Sequence, residues 1–265
     1  MKDSRRIICI HGYGVRGFFW TPIKLHLEEY FTEVITPDLK MEDIPSAITE
    51  VRELAKIHSR ESGQPVILFG HSLGGILCAM AAKDLEKHEL HSLIVMASPY
   101  GRRKKGIHPL VKFMLKHRLI PGWAVRSQFF GKHTPVHLQK ELFNNAVPEN
   151  LSIQEAVAEP TWFHSEEVKR PFGFPVLGLA SEADKIVSGR ETQLFTEALG
   201  GLFYSFPENL QIGHDDFTVH EPAIQQLLRV LLPFLGKNYE LPLPKDALLL
   251  TEDGDDFERQ LMMDL

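Results

Sequence analysis

The feature of this sequence that most constrains its fold is the alternation of short apolar runs with longer helical patterns. IICI, VILF and LIVM are apolar at every position and lie in predicted strands at 5–12, 64–70 and 91–98. Strands that are apolar on both faces are typical of a parallel sheet covered by helices on both sides. Further strands are predicted at 32–39, 174–181 and 201–208, with helices near 21–30, 45–62, 73–87, 189–199 and 222–235. We therefore predict an α/β fold with a doubly wound, mainly parallel sheet of about six strands.

A segment of roughly 70 residues interrupts this alternation between the fourth and fifth strands. It is rich in basic and aromatic residues and contains helical stretches such as HPLVKFMLKHRL. Sheets of this kind bind ligands at the carboxyl ends of their strands, where an insertion can form a lid. We predict a core at 1–100 and 174–237, a helical cap at 101–173 and an acidic C-terminal tail at 238–265.

Composition narrows the classes of function and location. The net charge of −6 over 265 residues argues against general binding of nucleic acids, which requires a basic surface. Cys9 and Cys78 lie in apolar segments, which predicts buried, reduced thiols. The first apolar run, at 7–10, is too short for a signal peptide, and no stretch is long enough for a membrane span, so we predict a cytoplasmic protein.

The stretch GHSLG at 70–74 follows a predicted strand and precedes a predicted helix, which is the context of a nucleophile elbow. A serine on such a sharp turn has strained backbone angles, and side chains two residues away on either side would collide. Gly70 and Gly74 remove those collisions, so that Ser72 stands at a helix N-terminus, where free N–H groups favour an oxyanion. A glycine-rich turn with an incidental serine is the alternative.

A nucleophilic serine needs a base, and the base needs an acid that orients it. Asp184 follows the fifth strand and His214 follows the sixth, so both lie at the strand ends that carry Ser72. Glu182 and His220 are poorer candidates because they lie farther from the expected loop positions. Asp215 and Asp216 are interpreted as N-cap residues of a short helical turn.

The first strand ends in HGYG, where Gly12 lets the loop turn back over the nucleophile. The backbone N–H of Tyr13 can then point at the same oxygen as that of Leu73. We predict that these two N–H groups form an oxyanion hole.

Taken together, HGYG, GHSLGG, ASEADKIV and IGHDDF appear in the order found in α/β-hydrolases, and the sequence resembles small, capped esterases and lipases of that family over residues 5–235. The resemblance implies a Ser72 nucleophile, a His214 base and an Asp184 acid, with 101–173 as the cap. The sequence departs from the family pattern in one respect: it starts almost at the third of the usual eight strands, so we expect a sheet without the two N-terminal antiparallel strands.

We therefore predict a serine hydrolase, without cofactor or metal, that cleaves a small ester with a hydrophobic acyl or alcohol part. An acyl-thioesterase or acyltransferase would use the same three side chains, and a non-catalytic receptor with this fold is a further alternative. The basic run GRRKKG at 101–106 is either a solvated loop or a surface for an anionic group. A homodimer could form through the cap or the tail.

Overall fold

The computed structural model describes residues 2–99, 122–158 and 172–237. Six strands form one sheet: β1 (Asp3–Ile10), β2 (Phe31–Ile35), β3 (Val66–His71), β4 (Leu90–Met96), β5 (Val176–Ser181) and β6 (Leu202–Phe206). Their order in the sheet is β2-β1-β3-β4-β5-β6, and every neighbouring pair is parallel. The predicted α/β class and the strand number are confirmed.

The helices in the described ranges are α1 (Thr21–Tyr30), α2 (Ile44–Ser62), α3 (Leu73–Ala82), α4 (Gly122–Phe129), α5 (Val136–Asn144), α6 (Leu151–Ala158), α7 (Gly189–Ala198), α8 (Asp216–Val219) and α9 (Glu221–Phe234). Two short 3₁₀ helices, Gly17–Trp20 and Glu208–Leu210, lie in loops at the carboxyl ends of strands. The described part of the predicted cap is helical, whereas GRRKKG, HPLVKFMLKHRL and the tail lie outside the described residues.

The core divides into two layers, one on each face of the sheet. Successive side chains of a strand point to opposite faces, so Ile7 and Cys9 enter one layer while Ile8 and Ile10 enter the other. Residues of α1 and α9 complete the first layer, and residues of α2, α3 and α7 complete the second. Both cysteines are buried and free, as predicted.

Local signals account for the ends of several helices. The Asp43 carboxylate accepts the Ser46 N–H at 2.7 Å at the start of α2, and Gly63 ends that helix with φ of 66°. Ser188 and Glu191 form a reciprocal capping box at the start of α7.

Two predicted elements are too long. The predicted helix at 73–87 ends at Ala82, after which i→i+3 bonds turn the chain and bring Leu85 into the core. The predicted strand at 32–39 ends at Ile35, and the next residues form a loop tied to the β1–α1 connection. There the Asp38 carboxylate accepts the Gly17 N–H at 2.7 Å.

Candidate active site

Ser72 lies on the turn between β3 and α3, at the carboxyl end of a central strand. Its backbone angles, φ of 53° and ψ of −121°, are strained for a residue with a side chain. A Cβ at Gly70 would lie 2.4 Å from the Gly74 carbonyl oxygen, and one at Gly74 would lie 2.3 Å from that of Ile10. The close approach of these backbones explains why the turn requires both glycines.

Asp184 and His214 meet across the loops that follow β5 and β6. The Nδ1 atom of His214 lies 2.7 Å from Oδ2 of Asp184, and their side chains are only 3 % and 1 % exposed. The other oxygen of Asp184 accepts the N–H groups of Ile186 at 2.7 Å and Val187 at 3.0 Å. Because both carboxylate oxygens are engaged, the carboxylate can hold the imidazole in one orientation.

His71, directly before Ser72, supports the loop that carries His214. Its Nε2–H donates to the carbonyl oxygen of His214 at 2.9 Å, and the two rings lie 4.7 Å apart. Burial, with the neighbouring His214 as the second cause, lowers the pKa of His71 well below its usual value. His71 is therefore a neutral hydrogen-bond donor that connects the elbow to the histidine loop.

The loop after β1 lies directly against Ser72. A Cβ at Gly12 would lie 3.1 Å from the Cβ of Ser72, so glycine allows this contact. Leu73 is the first residue of α3, where a backbone N–H has no acceptor within the helix. Tyr13 follows Gly12, and its side chain is 44 % exposed.

His11 fixes the loop after β1 through two hydrogen bonds of its ring. Its Nδ1–H donates to the Gly12 carbonyl at 2.9 Å, and its Nε2 accepts the Leu39 N–H at 3.2 Å. Burial, as the dominant cause, lowers the pKa of His11, which is consistent with a neutral ring that donates and accepts at once. The HG pair in the sequence indicated a turn, but it gave no sign of the hydrogen bond between His11 and Leu39 in the β2–α2 loop.

The interpretation of Asp215 and Asp216 as N-cap residues of a short helical turn is confirmed for the position of Asp215 and wrong for Asp216. Asp215 occupies the N-cap position of α8, but its side chain makes no capping hydrogen bond. The Asp216 carboxylate instead accepts the N–H groups of Gly213 at 2.7 Å and Gly131 at 2.8 Å and the hydroxyl of Thr134 at 2.6 Å. Asp216 therefore connects the histidine loop to the inserted segment.

From the sequence, apolar and aromatic residues of the insertion are candidates either to line an acyl pocket or to hold the insertion on the core, and they have different environments. The ring of Phe129 lies 6.2 Å from that of His214, whereas Phe130 is buried in the core and Trp123 is 68 % exposed. Trp20 is also a core residue. The remaining candidates, Phe113, Met114, Leu115, Trp162 and Phe163, lie outside the described residues.

Three side chains with metal-ligating atoms come together beside the elbow. The metal-ligating atoms of His71, His214 and Asp215 lie within 4.8 Å of one another. Nε2 of His71 and Nδ1 of His214 already make the hydrogen bonds given above, so the cluster forms the surroundings of the histidine loop. Across the three described ranges, no helix has the length and apolar character needed to cross a membrane.

A parallel sheet with a strained Ser72 after its third strand, and a buried Asp184–His214 pair on later loops, defines the fold class of the α/β-hydrolases. The family model described as "Alpha/beta hydrolase family" matches residues 7–249. This chain belongs to the alpha/beta hydrolase family.

Similar proteins include a curated plant protein and several solved enzymes. The chain is 23% identical over 192 residues to "Salicylic acid-binding protein 2" of Nicotiana tabacum, covering 64% of this chain and 72% of the tobacco protein. An esterase from Exiguobacterium antarcticum superposes with a TM-score of 0.68 at 17% identity, covering 86% of this chain and 91% of the esterase. A monoacylglycerol lipase from Paleococcus ferrophilus superposes with a TM-score of 0.63 at 18% identity, covering 89% and 95% of the two chains.

Proposed function

We propose that this protein is a serine hydrolase that cleaves a carboxylic ester with a hydrophobic acyl or alcohol part through an acyl-enzyme on Ser72. The observation that carries the proposal is the 2.7 Å contact between His214 Nδ1 and Asp184 Oδ2, two buried side chains on loops at the strand ends that also carry the elbow. No metal or cofactor takes part in the proposed reaction.

In the proposed reaction, His214 Nε2 removes the hydroxyl proton of Ser72 as Ser72 Oγ attacks the ester carbonyl. Asp184 accepts the Nδ1–H of His214, so Nε2 is the unprotonated nitrogen and can act as the base. When the imidazole becomes a cation, the same carboxylate stabilises it. The protonated His214 then donates its proton to the leaving alcohol, and water, activated by the same base, cleaves the acyl-enzyme.

The developing oxyanion would bind the backbone N–H groups of Tyr13 and Leu73. Leu73 offers its N–H at the positive end of the α3 dipole, and Gly12 keeps the Tyr13 loop in contact with Ser72. Each such donor contributes about 3 kcal/mol to transition-state stabilisation.

The similar proteins support this class of substrate without identifying one. The two solved structures above are an esterase and a monoacylglycerol lipase, both of which cleave esters. The tobacco protein is named for binding salicylic acid, which keeps ligand binding without turnover as a testable alternative.

The test is labelling with a fluorophosphonate probe, followed by hydrolysis of p-nitrophenyl esters from acetyl to palmitoyl. We expect the probe to modify Ser72 in the wild-type protein and not in Ser72→Ala, and the variant to lose hydrolysis. The acyl length with the highest kcat/KM would define the substrate pocket. An unlabelled wild-type protein, or a Ser72→Ala variant with full activity, would contradict the proposal.

The same assay separates the related activities. Faster cleavage of acyl-thioesters than of matched oxygen esters would indicate a thioesterase. Formation of a new ester with an added alcohol acceptor would indicate an acyltransferase. Tight binding of a ligand by a protein whose Ser72 does not react with the probe would indicate a receptor.

A further inference from the structure

The inserted segment makes a buried ion pair with the loop that follows β1. Glu149 lies just before α6, and its side chain is 0% exposed. Its Oε1 accepts the Gly14 N–H at 2.9 Å and Arg16 Nη1 at 2.6 Å, while Oε2 accepts Arg16 Nη2 at 3.0 Å. Such a bidentate pair fixes orientation as well as distance.

The insertion holds Gly14 through both of its backbone groups. Glu149 accepts its N–H, and the Val147 N–H donates to its carbonyl oxygen at 2.8 Å. Gly14 has φ of +76°, so this sharp turn directly follows Tyr13, the residue proposed to donate to the oxyanion. The orientation of the Tyr13 N–H therefore depends on contacts made by the insertion.

Arg16 compensates the charge of Glu149. A lone buried carboxylate this close to the proposed oxyanion would oppose the negative charge that develops during the reaction. The bidentate Arg16 neutralises it and also donates from Nη1 to the Val15 carbonyl at 2.7 Å, which closes the loop on itself. The pair thus holds the loop without adding a net charge.

We propose that Glu149 is a positioning residue for the oxyanion hole. It holds the Gly14 N–H so that the preceding Tyr13 N–H stays directed at the acyl oxygen, and it does not itself touch the substrate. This inference rests on the proposed function, because it assumes that Ser72 attacks a carbonyl.

The test uses Glu149→Met in the full chain, because the amide oxygen of a glutamine would still accept the Gly14 N–H. Because the oxyanion forms only in the transition state, we expect kcat and the rate of Ser72 phosphonylation to fall about 10- to 100-fold, with KM changed less than about threefold. Asp3→Asn is the control, since Asp3 forms a partly buried pair with Arg5 at the opposite end of β1. Asp3→Asn should lower stability and leave kcat unchanged.

The outcomes separate the two proposals. A wild-type protein that the probe does not label at Ser72 contradicts the proposed function. A wild-type protein that is labelled, together with a folded Glu149→Met that is labelled equally fast, overturns the role of Glu149 alone. A drop in kcat of the same size in Asp3→Asn would also overturn it, since the effect would then follow from lost stability.

A second variant covers the case in which Glu149→Met does not fold with Arg16 unpaired. Arg16→Met/Glu149→Met removes both buried charges, a replacement that proteins often tolerate. A folded double variant with slow phosphonylation supports the role, and one with the wild-type rate overturns it. Hydrogen exchange of the wild-type protein gives a third readout: slow exchange of the Gly14 and Val147 amides supports the tether, and exchange at the rate of free loops overturns it.

Discussion

Replacing Asp215 with asparagine should stabilise the protein, and the gain should increase with pH. Asp215 is 9 % exposed and lies between the histidine loop and α8. Burial raises the pKa of its carboxyl from 3.8 to about 7; His214 lowers it in part, and the nearby charges of Asp184 and Asp216 raise it further. The fold therefore disfavours the charged form of this side chain.

The sign of the effect follows from proton binding in the two states. Between pH 3.8 and about 7 the unfolded chain has lost this proton while the folded protein retains it, so stability falls as the pH rises through that window. Each unit of pKa corresponds to about 1.4 kcal/mol, so the full cost is about 4 kcal/mol above about pH 8. The cost is only about 1.5 kcal/mol at about pH 5. Asp215→Asn carries no such cost.

Urea unfolding of the wild type and Asp215→Asn at about pH 5 and about pH 8.5 measures this difference. We expect the difference in the free energy of unfolding between Asp215→Asn and the wild type to increase by about 2.5 kcal/mol from the lower to the higher pH. Asp3→Asn provides a control of opposite sign: although burial acts to raise the Asp3 pKa, hydrogen bonds from Arg5 and Lys237 lower it below its usual range. That variant should be less stable than the wild type by about the same amount at both pH values, because both values lie above the pKa of 3.8 of an unperturbed aspartate. An advantage of Asp215→Asn that is equal at both pH values would refute the reasoning.

Three further predictions follow from the site and the core. Gly74→Ala should lose about 3 kcal/mol in urea unfolding because the new Cβ meets backbone oxygens of β1, whereas Gly189→Ala, with no neighbour closer than 3.5 Å, should be nearly neutral. Asp184→Asn should lower kcat by about 10³-fold or more in the ester assay. The amide oxygen of the asparagine would accept the backbone N–H groups that Asp184 Oδ1 now accepts, so its NH₂ group would face His214. A wild-type rate would contradict this. Burial raises the pKa of the Cys9 and Cys78 thiols, so an aromatic disulfide reagent should modify neither thiol in the folded protein and both in urea; rapid reaction of the native protein would contradict their burial.

The sheet and the elbow were predictable because their signals are local in sequence. Strands that are apolar at every position indicate burial on both faces, and the sheet order places their carboxyl ends along one edge. Gly70 and Gly74, each two positions from Ser72 in the sequence, indicate that backbones approach closely at this turn. The placement of Asp184 and His214 was predictable for the same reason, since each lies on the loop that follows a recognisable strand.

The contacts that hold the loops after β1 and β6 were not predictable, because they join residues far apart in sequence. Nothing near Glu149 in the sequence indicates that its carboxylate accepts the Gly14 N–H, 135 positions away. Asp216 was misinterpreted because an aspartate beside a short helix is a common N-cap, whereas here its partners come from the insertion. Local patterns identify the elements of this fold, and long-range hydrogen bonds to backbone groups determine how its loops are held.

These long-range bonds change what the described part of the insertion does. Its 129–134 stretch holds the histidine loop, through the Asp215 N–H donating to the Phe129 carbonyl at 3.0 Å and through the contacts of Asp216. A Cβ at Gly131 would lie 1.7 Å from the Gln211 carbonyl oxygen, so this stretch packs directly on the backbone of that loop. Val147 and Glu149 hold the loop after β1 in the same way. Because one segment contacts both loops, a shift of α4 or α5 would move the proposed base and the proposed oxyanion donor together. The insertion is therefore part of the structure that orients the proposed catalytic groups, in addition to its predicted role as a cover over the substrate.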